Sequence, residues 1–307
     1  MRPVRALLLF TLVICLGAAL LAPWAWALAQ RLAEMFPDSP ALAALAKFPF
    51  HDFVRRLLLA LALLGSWPLL RSLGARSAAD LGLVEPKGQW PRLTAGFALG
   101  FGTLACAAII VLLGGGRKFR ADFTLFSCLK NLVSAGAAAA TIALIEEIFF
   151  RGAIFGALRK AHAWPVALLA SSVIYSLLHF LQAPAATLEV HWFSGLVVLP
   201  QMLAGLVHAR TLLPEFLTLI LSGAILGLAY QRTGNLYFSI GLHTGWVFWM
   251  KFYASVTVGL RITDHSWLWG SRKLTDSWLA LAMLLLTLCL LPRLARSWKN
   301  DPPIHAA

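Results

Sequence analysis

Charge is what this sequence has least of. Only 13% of its 307 residues are Asp, Glu, Lys or Arg, against about 25% in an average soluble domain. Cysteine is scarce as well: the 4 present, Cys15, Cys106, Cys128 and Cys289, lie scattered in or beside apolar runs. Neither a disulfide framework nor a cysteine metal cluster follows from that placement. No low-complexity tract and no convincing internal repeat breaks the chain, and the tail at 297–307 is short and solvated. What remains is apolar: 60% of residues are hydrophobic and the mean hydropathy is +0.77. One soluble core cannot bury so much apolar surface, because a globule of this size still needs a polar skin. The composition therefore reads as a polytopic, all-α membrane protein.

Acids are rarer than bases, 13 against 26, for a net charge of +13. The basic residues stand singly or in pairs between apolar runs, with no long basic tract or zinc-finger spacing. They point to anionic lipid and to the orientation of the spans, and no nucleic-acid partner is expected.

Apolar runs near the length of a span fall at 6–29, 54–73, 93–115, 132–157, 164–182, 194–209, 212–231, 236–257 and 275–294. The run at 194–209 is short and holds Pro200 and His208, so it reads as a half-span. About eight full helices are expected around a membrane-embedded polar cavity. The first run is too long for a signal core and is followed by further spans, so a retained first helix is expected. Arg2 and Arg5 place the amino terminus in the cytoplasm, and Arg293, Arg296 and Lys299 place the carboxyl terminus there too. Residues 1–307 read as one membrane domain, with a core at 130–255. It is preceded by helices and connectors in 1–129 and followed by a loop, a last helix and a short tail in 256–307.

An ionisable group inside a span costs roughly 2.5–3.5 kcal/mol on the insertion scale. Of the 13 acids, only Glu146 and Glu147 lie well inside an apolar run, in Ala143-Leu144-Ile145-Glu146-Glu147-Ile148-Phe149-Phe150-Arg151. Packing gives no reason for two adjacent carboxylates there. Arg151 follows Glu147 by four residues, so the two share a helix face and can pair. Glu146 points about 100° away and must find its partner elsewhere. Two other runs offer imidazoles: His179 in Tyr175-Ser176-Leu177-Leu178-His179, with Tyr175 one turn earlier, and His243 in Gly241-Leu242-His243-Thr244-Gly245. Carboxylate and imidazole together can hold and deprotonate a water, with or without a metal such as zinc. The remaining histidines lie in loops or near span ends and are read as structural.

Glu146-Glu147-x-x-x-Arg151 with Phe150, the aromatic-x-x-x-His of Tyr175 and His179, and His243 in a later span resemble the CPBP family. These are the CAAX protease and bacteriocin-processing membrane proteases, also called Abi. The run Tyr230-Gln231-Arg232-Thr233-Gly234-Asn235-Leu236 into His243 resembles the family as well, with a faint echo at Leu81-Gly82-Leu83. The resemblance spans roughly 130–255 and implies a helical fold with a cavity open toward the membrane. It implies an intramembrane endopeptidase of glutamic or metallo type acting on membrane-associated proteins or peptides, in a bacterial inner (plasma) membrane. Carried over residue by residue, Glu146 and His179 activate the attacking water, and His243 stabilises the oxyanion. Glu147 and Arg151 support them, with Tyr175 beside them. If zinc is bound, Glu146, His179 and His243 hold it. The family's last motif is His-x-x-x-Asn, and Val247 stands where that Asn is expected, which removes one oxyanion donor. Two alternatives differ in class. A proton-coupled transporter would use Glu146, Glu147 and His179 as a relay, but the paired interrupted half-spans of that design are missing. An inactive membrane scaffold is the reading that Val247 favours.

Overall fold

Over its described residues, each apolar run read from the sequence falls largely on helix. The structure is a computed structural model and describes residues 3–121, 124–180, 189–203, 209–259, 268 and 274–295. Among these, five helices are long and apolar enough to cross a membrane: Val4–Met35, Phe50–Ser72, Trp90–Leu113, Leu125–Arg159 and Leu213–Thr233. Trp164–His179 and Trp278–Leu294 are shorter apolar helices. The chain is an all-α polytopic membrane protein. Its described strands are two three-residue pieces, Arg117–Phe119 and Thr257–Gly259, paired antiparallel with Lys118 opposite Val258.

The chain divides into two compact units, Met1–Gly74 with Leu177–Ala209, and Ala75–Ser176 with Arg210–Ala307. The first holds α1 (Pro3–Met35), α2 (Pro40–Ala46), α3 (Phe50–Ser72) and α8 (Ser194–Leu203). Small residues let its helices meet closely: Gly195 lies against the Ala19 carbonyl, where a Cβ would not fit. Ala22 and Ala29 are buried with Phe53, Val54, Val198 and Met202. The described part of α8 is 10 residues long. His208 lies outside the described residues.

The second unit holds α4 (Trp90–Leu113), α5 (Leu125–Glu147), α6 (Gly156–Arg159), α9 (Ala209–Thr233), α10 (Tyr237–Val256) and the last helix, Trp278–Ala295. α7 (Trp164–His179) belongs to it through Ser176. A reciprocal cap opens α5: the Ser127 N–H donates to the Thr124 hydroxyl at 3.1 Å, and the Thr124 N–H donates to the Ser127 hydroxyl at 3.0 Å. The apolar core joins Leu99, Leu104 and Ala107 of α4, Ile225, Leu226 and Ala229 of α9, and Phe238, Leu242 and Trp246 of α10 to Leu284 and Leu291.

Two glycine pairs, each one turn apart, set the distance between α4 and α10. A Cβ on Gly96 or Gly100 would collide with the Phe238 or Leu242 carbonyl, and one on Gly241 or Gly245 with the Leu93 carbonyl or the Phe101 amide. The two backbones therefore meet directly. The start of α10 is held by polar contacts. Asn235 Oδ1 accepts the Tyr237 N–H at 3.2 Å, and Asn235 Nδ2 donates to Gln89 Oε1 at 3.0 Å. The Leu236 N–H donates to the Gly82 carbonyl at 2.9 Å. Gly82 has φ +85°, and the Tyr230 ring occupies the space that a Cβ would need. The Leu81-Gly82-Leu83 segment and the run Tyr230–Leu236 are therefore parts of one contact.

Candidate active site

Glu146 and Glu147 are the last two residues of α5, and the chain continues as a π-helical segment, Ile148–Phe155. Such wider turns are frequent at functional sites. Arg151 sits within this segment and pairs back to Glu147, Nη1 to Oε1, at 2.9 Å. Both are withdrawn from solvent, with exposures of 0% for Glu147 and 2% for Arg151. A second hydrogen bond runs from Arg151 Nη2 to the Gly223 carbonyl of α9 at 3.4 Å. The guanidinium carbon also lies 4.8 Å from the centre of the Tyr175 ring, within range of a cation–π contact. A carboxylate, a carbonyl and a π-cloud together offset the burial of this cation.

His243 enters from α10, midway between Gly241 and Gly245. Its two ring nitrogens face the two glutamates. Nδ1 lies 2.8 Å from Glu147 Oε1, and Nε2 lies 3.8 Å from Glu146 Oε2. The short contact to a carboxylate assigns the Nδ1 proton to the Glu147 side. Nε2 is then the nitrogen that exchanges protons, and it is turned toward Glu146. Tyr175 closes the group. Its ring stands edge-on to Phe150 at 4.9 Å and to His243 at 6.4 Å.

The structure thus brings together Glu146, Glu147, Arg151, Tyr175 and His243. Glu147 pairs with Arg151 as the four-residue spacing predicts, and Glu146 finds its partners on other helices. His179 ends α7, one turn beyond Tyr175, and is assigned to the other compact unit. Val247 is one turn beyond His243, where its side chain packs in an apolar cluster with Ala135, Ala139 and Phe248. Thr244, the nearby hydroxyl, donates within its own helix to the Ile240 carbonyl at 2.7 Å. Among the described residues, no three His, Cys, Asp or Glu side chains are grouped to hold a metal ion. Glu147 Oε1 is already engaged by two N–H donors.

Two contributors were not singled out from the sequence. The paired Gly-x-x-x-Gly spacings that seat His243 are legible in it, at 96 and 100 and at 241 and 245. The Gly223 carbonyl that holds Arg151 carries no sequence signal.

Residues 129–249 match the family model described as Rce1-like, type II CAAX prenyl endopeptidase. These residues are similar to that family over well under half of the chain. The match contains all five clustered side chains together with His179 and Val247, and it agrees closely with the span of the CPBP resemblance. Neither a curated protein nor a solved structure matches the chain. The matched stretch is similar to a family of CAAX prenyl endopeptidases. Its glycine seat, however, extends beyond the match, since α4 lies before residue 129.

Proposed function

We propose that the chain hydrolyses a peptide bond of a membrane-associated protein or peptide by a water that Glu146 deprotonates. The observation that supports this is the imidazole of His243 set between two carboxylates, one buried and clamped, the other partly open. A separation of 3.8 Å between Nε2 and Glu146 Oε2 is too long for a hydrogen bond. It lets one water oxygen lie about 2.8 Å from both. Glu146 accepts the water proton as the oxygen attacks the carbonyl carbon. Glu147 keeps His243 oriented through its contact with Nδ1, so that Nε2 faces the developing oxyanion. Collapse breaks the C–N bond, and the amine leaves with the proton held by Glu146. Arg151 stabilises Glu147 and touches no reacting atom. The family likeness alone adds His179 to the same water, and alone suggests zinc on Glu146, His179 and His243. The basic Arg2 and Arg5 support a cytoplasmic amino terminus in a bacterial inner membrane.

The test uses the full chain in detergent micelles with two fluorescence-quenched peptides. One is farnesylated and ends in Cys-aliphatic-aliphatic-X, and the other is the same peptide without the lipid. Cleavage of either that is lost in Glu146→Gln supports the reading. Cleavage of the farnesylated peptide alone carries the family's prenyl substrate class over to this chain. Failure of both, with a folded protein, favours the scaffold reading that Val247 raises.

A further inference from the structure

We propose that a buried polar line between α9 and Glu147 holds water inside the bundle, and that this water supplies the hydrolysis at Glu146. The supply rests on the proposed reading of the site, whereas the hydration stands without it. The line is continuous. The Ser222 hydroxyl donates to the Thr218 carbonyl at 2.8 Å. The next residue, Gly223, offers its carbonyl to Arg151 Nη2 at 3.4 Å, and Arg151 Nη1 reaches Glu147 Oε1 at 2.9 Å. Each end of the line is an unsatisfied oxygen. Thr218 Oγ1 and Glu147 Oε2 are both buried, without a hydrogen-bond partner among the described residues. Thr218 is 2% exposed and Glu147 0%. Buried polar atoms in folded proteins are bonded to protein or to ordered water, so two orphans on one line call for water.

Thr218 also breaks a local rule. Thr103, Thr141, Thr244 and Thr287 each donate to the carbonyl four residues earlier, a common way for a helix to satisfy such a hydroxyl. Thr218 lies within α9 and does not. Its position turns it inward, because 218, 222, 225, 226 and 229 form one stripe of the helix. Ile225, Leu226 and Ala229 of that stripe pack with Phe238, Leu242 and Trp246 of α10. The stripe is therefore apolar toward the start of α10 and carries hydroxyls beyond it. Water is retained where polar groups converge, while an apolar gap stays dry. Ser222 donates yet keeps its lone pairs, so it remains an acceptor one turn from Thr218. A hydrolase inside lipid consumes one water for each bond it breaks, and hydrocarbon cannot replace it.

The experiment uses full chains in micelles: wild type, Thr218→Val, and Thr287→Val as a reference whose buried hydroxyl bonds within its own helix. The first measurement needs no turnover. In radiolytic labelling, hydroxyl radicals born from bound water oxidise the side chains beside it. Leu219, 8% exposed and next to Thr218, should be oxidised in wild type and several-fold less in Thr218→Val. Leu226, in the apolar part of the stripe, should stay unlabelled in both. Tm should fall by about 2–4 °C in Thr218→Val, because valine cannot replace the bonds of an ordered water. Thr287→Val should stay near wild type. With the farnesylated peptide, kcat of Thr218→Val should fall about fivefold, the scale of one hydrogen bond, with KM unchanged. Equal labelling of Leu219 in wild type and Thr218→Val overturns the inference. So does a Thr218→Val Tm at or above wild type, the result for a dry hydroxyl whose burial is only a cost. Reduced labelling with an unaltered kcat overturns the supply. A chain that labels as expected but cleaves neither peptide overturns the proposed hydrolysis instead.

Discussion

Nδ1 of His243 lies 2.8 Å from Oε1 of Glu147, a carboxylate with 0% exposure. The same oxygen receives Nη1 of Arg151 at 2.9 Å. One buried atom therefore ties a cation of the π-helical segment to an imidazole that arrives from α10. A carboxylate used in this way orients its partner.

Glu147→Gln should behave as a structural lesion. It leaves Arg151 and His243 without their counter-charge in a buried site, a change on the scale of about 3–5 kcal/mol. Expression and Tm in detergent should both fall. Arg151→Gln should cost a similar amount, and the double variant less than the two losses added, because they share one interaction. Strictly additive Tm losses would show that the pair is not coupled.

Each histidine should be separable from the fold. His243→Ala should lose at least about 10²-fold in rate, the low end for a proton-transfer group, with the helical circular dichroism retained. His179→Ala should do the same if the family likeness carries its role over. A His179→Ala rate above about a tenth of wild type would make that residue structural.

Val247→Asn should not restore the activity of a site that has lost its amide. The residue is buried with Ala135, Ala139 and Phe248, so an unpaired amide there costs about 1–3 kcal/mol. Lower Tm with no gain in kcat is expected. A raised kcat would show that the side chain reaches the reacting atoms after all.

Asp80 gives a pH dependence outside the spans. The N–H groups of Arg76 and Ser77 donate to its carboxylate at 2.7 and 2.8 Å and hold it below the usual carboxylate range. A depressed folded value stabilises the protein above the unfolded value of about 3.9, and that contribution is lost as pH falls through the folded value. Asp80 is exposed, so the effect is small. Asp80→Asn should lower Tm slightly at pH 6, and the difference from wild type should shrink steadily toward pH 3. A difference that grows on acidification would contradict this.

The sequence was most legible where insertion energy is large. Apolar length marked the long helices but not the short α2, and two carboxylates that packing cannot explain marked the centre of the site. Helical spacing gave the Glu147–Arg151 pair, because an i, i+4 contact depends on one helix only. It could not give the partner of Glu146. That choice depends on how α7 and α10 approach α5, which no local periodicity encodes. The π-helical turn after Glu147 was likewise hidden, since one extra residue per turn leaves no compositional trace in Ile148–Phe155. Val247 shows the opposite limit. The motif marked it as a missing donor, whereas its neighbours on α5 make it part of an apolar contact.

His243 sits between two glycines whose α-carbons rest on the main chain of α4. Main-chain atoms have no rotamers, so the place of this imidazole is set by parts that side-chain substitution cannot reshape. Apolar residues around it can drift in size and shape over evolutionary time and shift the melting point while the ring stays aimed at the glutamates. The glycines form a datum from which the reactive geometry is measured. An engineer who wished to retarget the enzyme could vary the lipid-facing walls freely, provided those four positions were left alone.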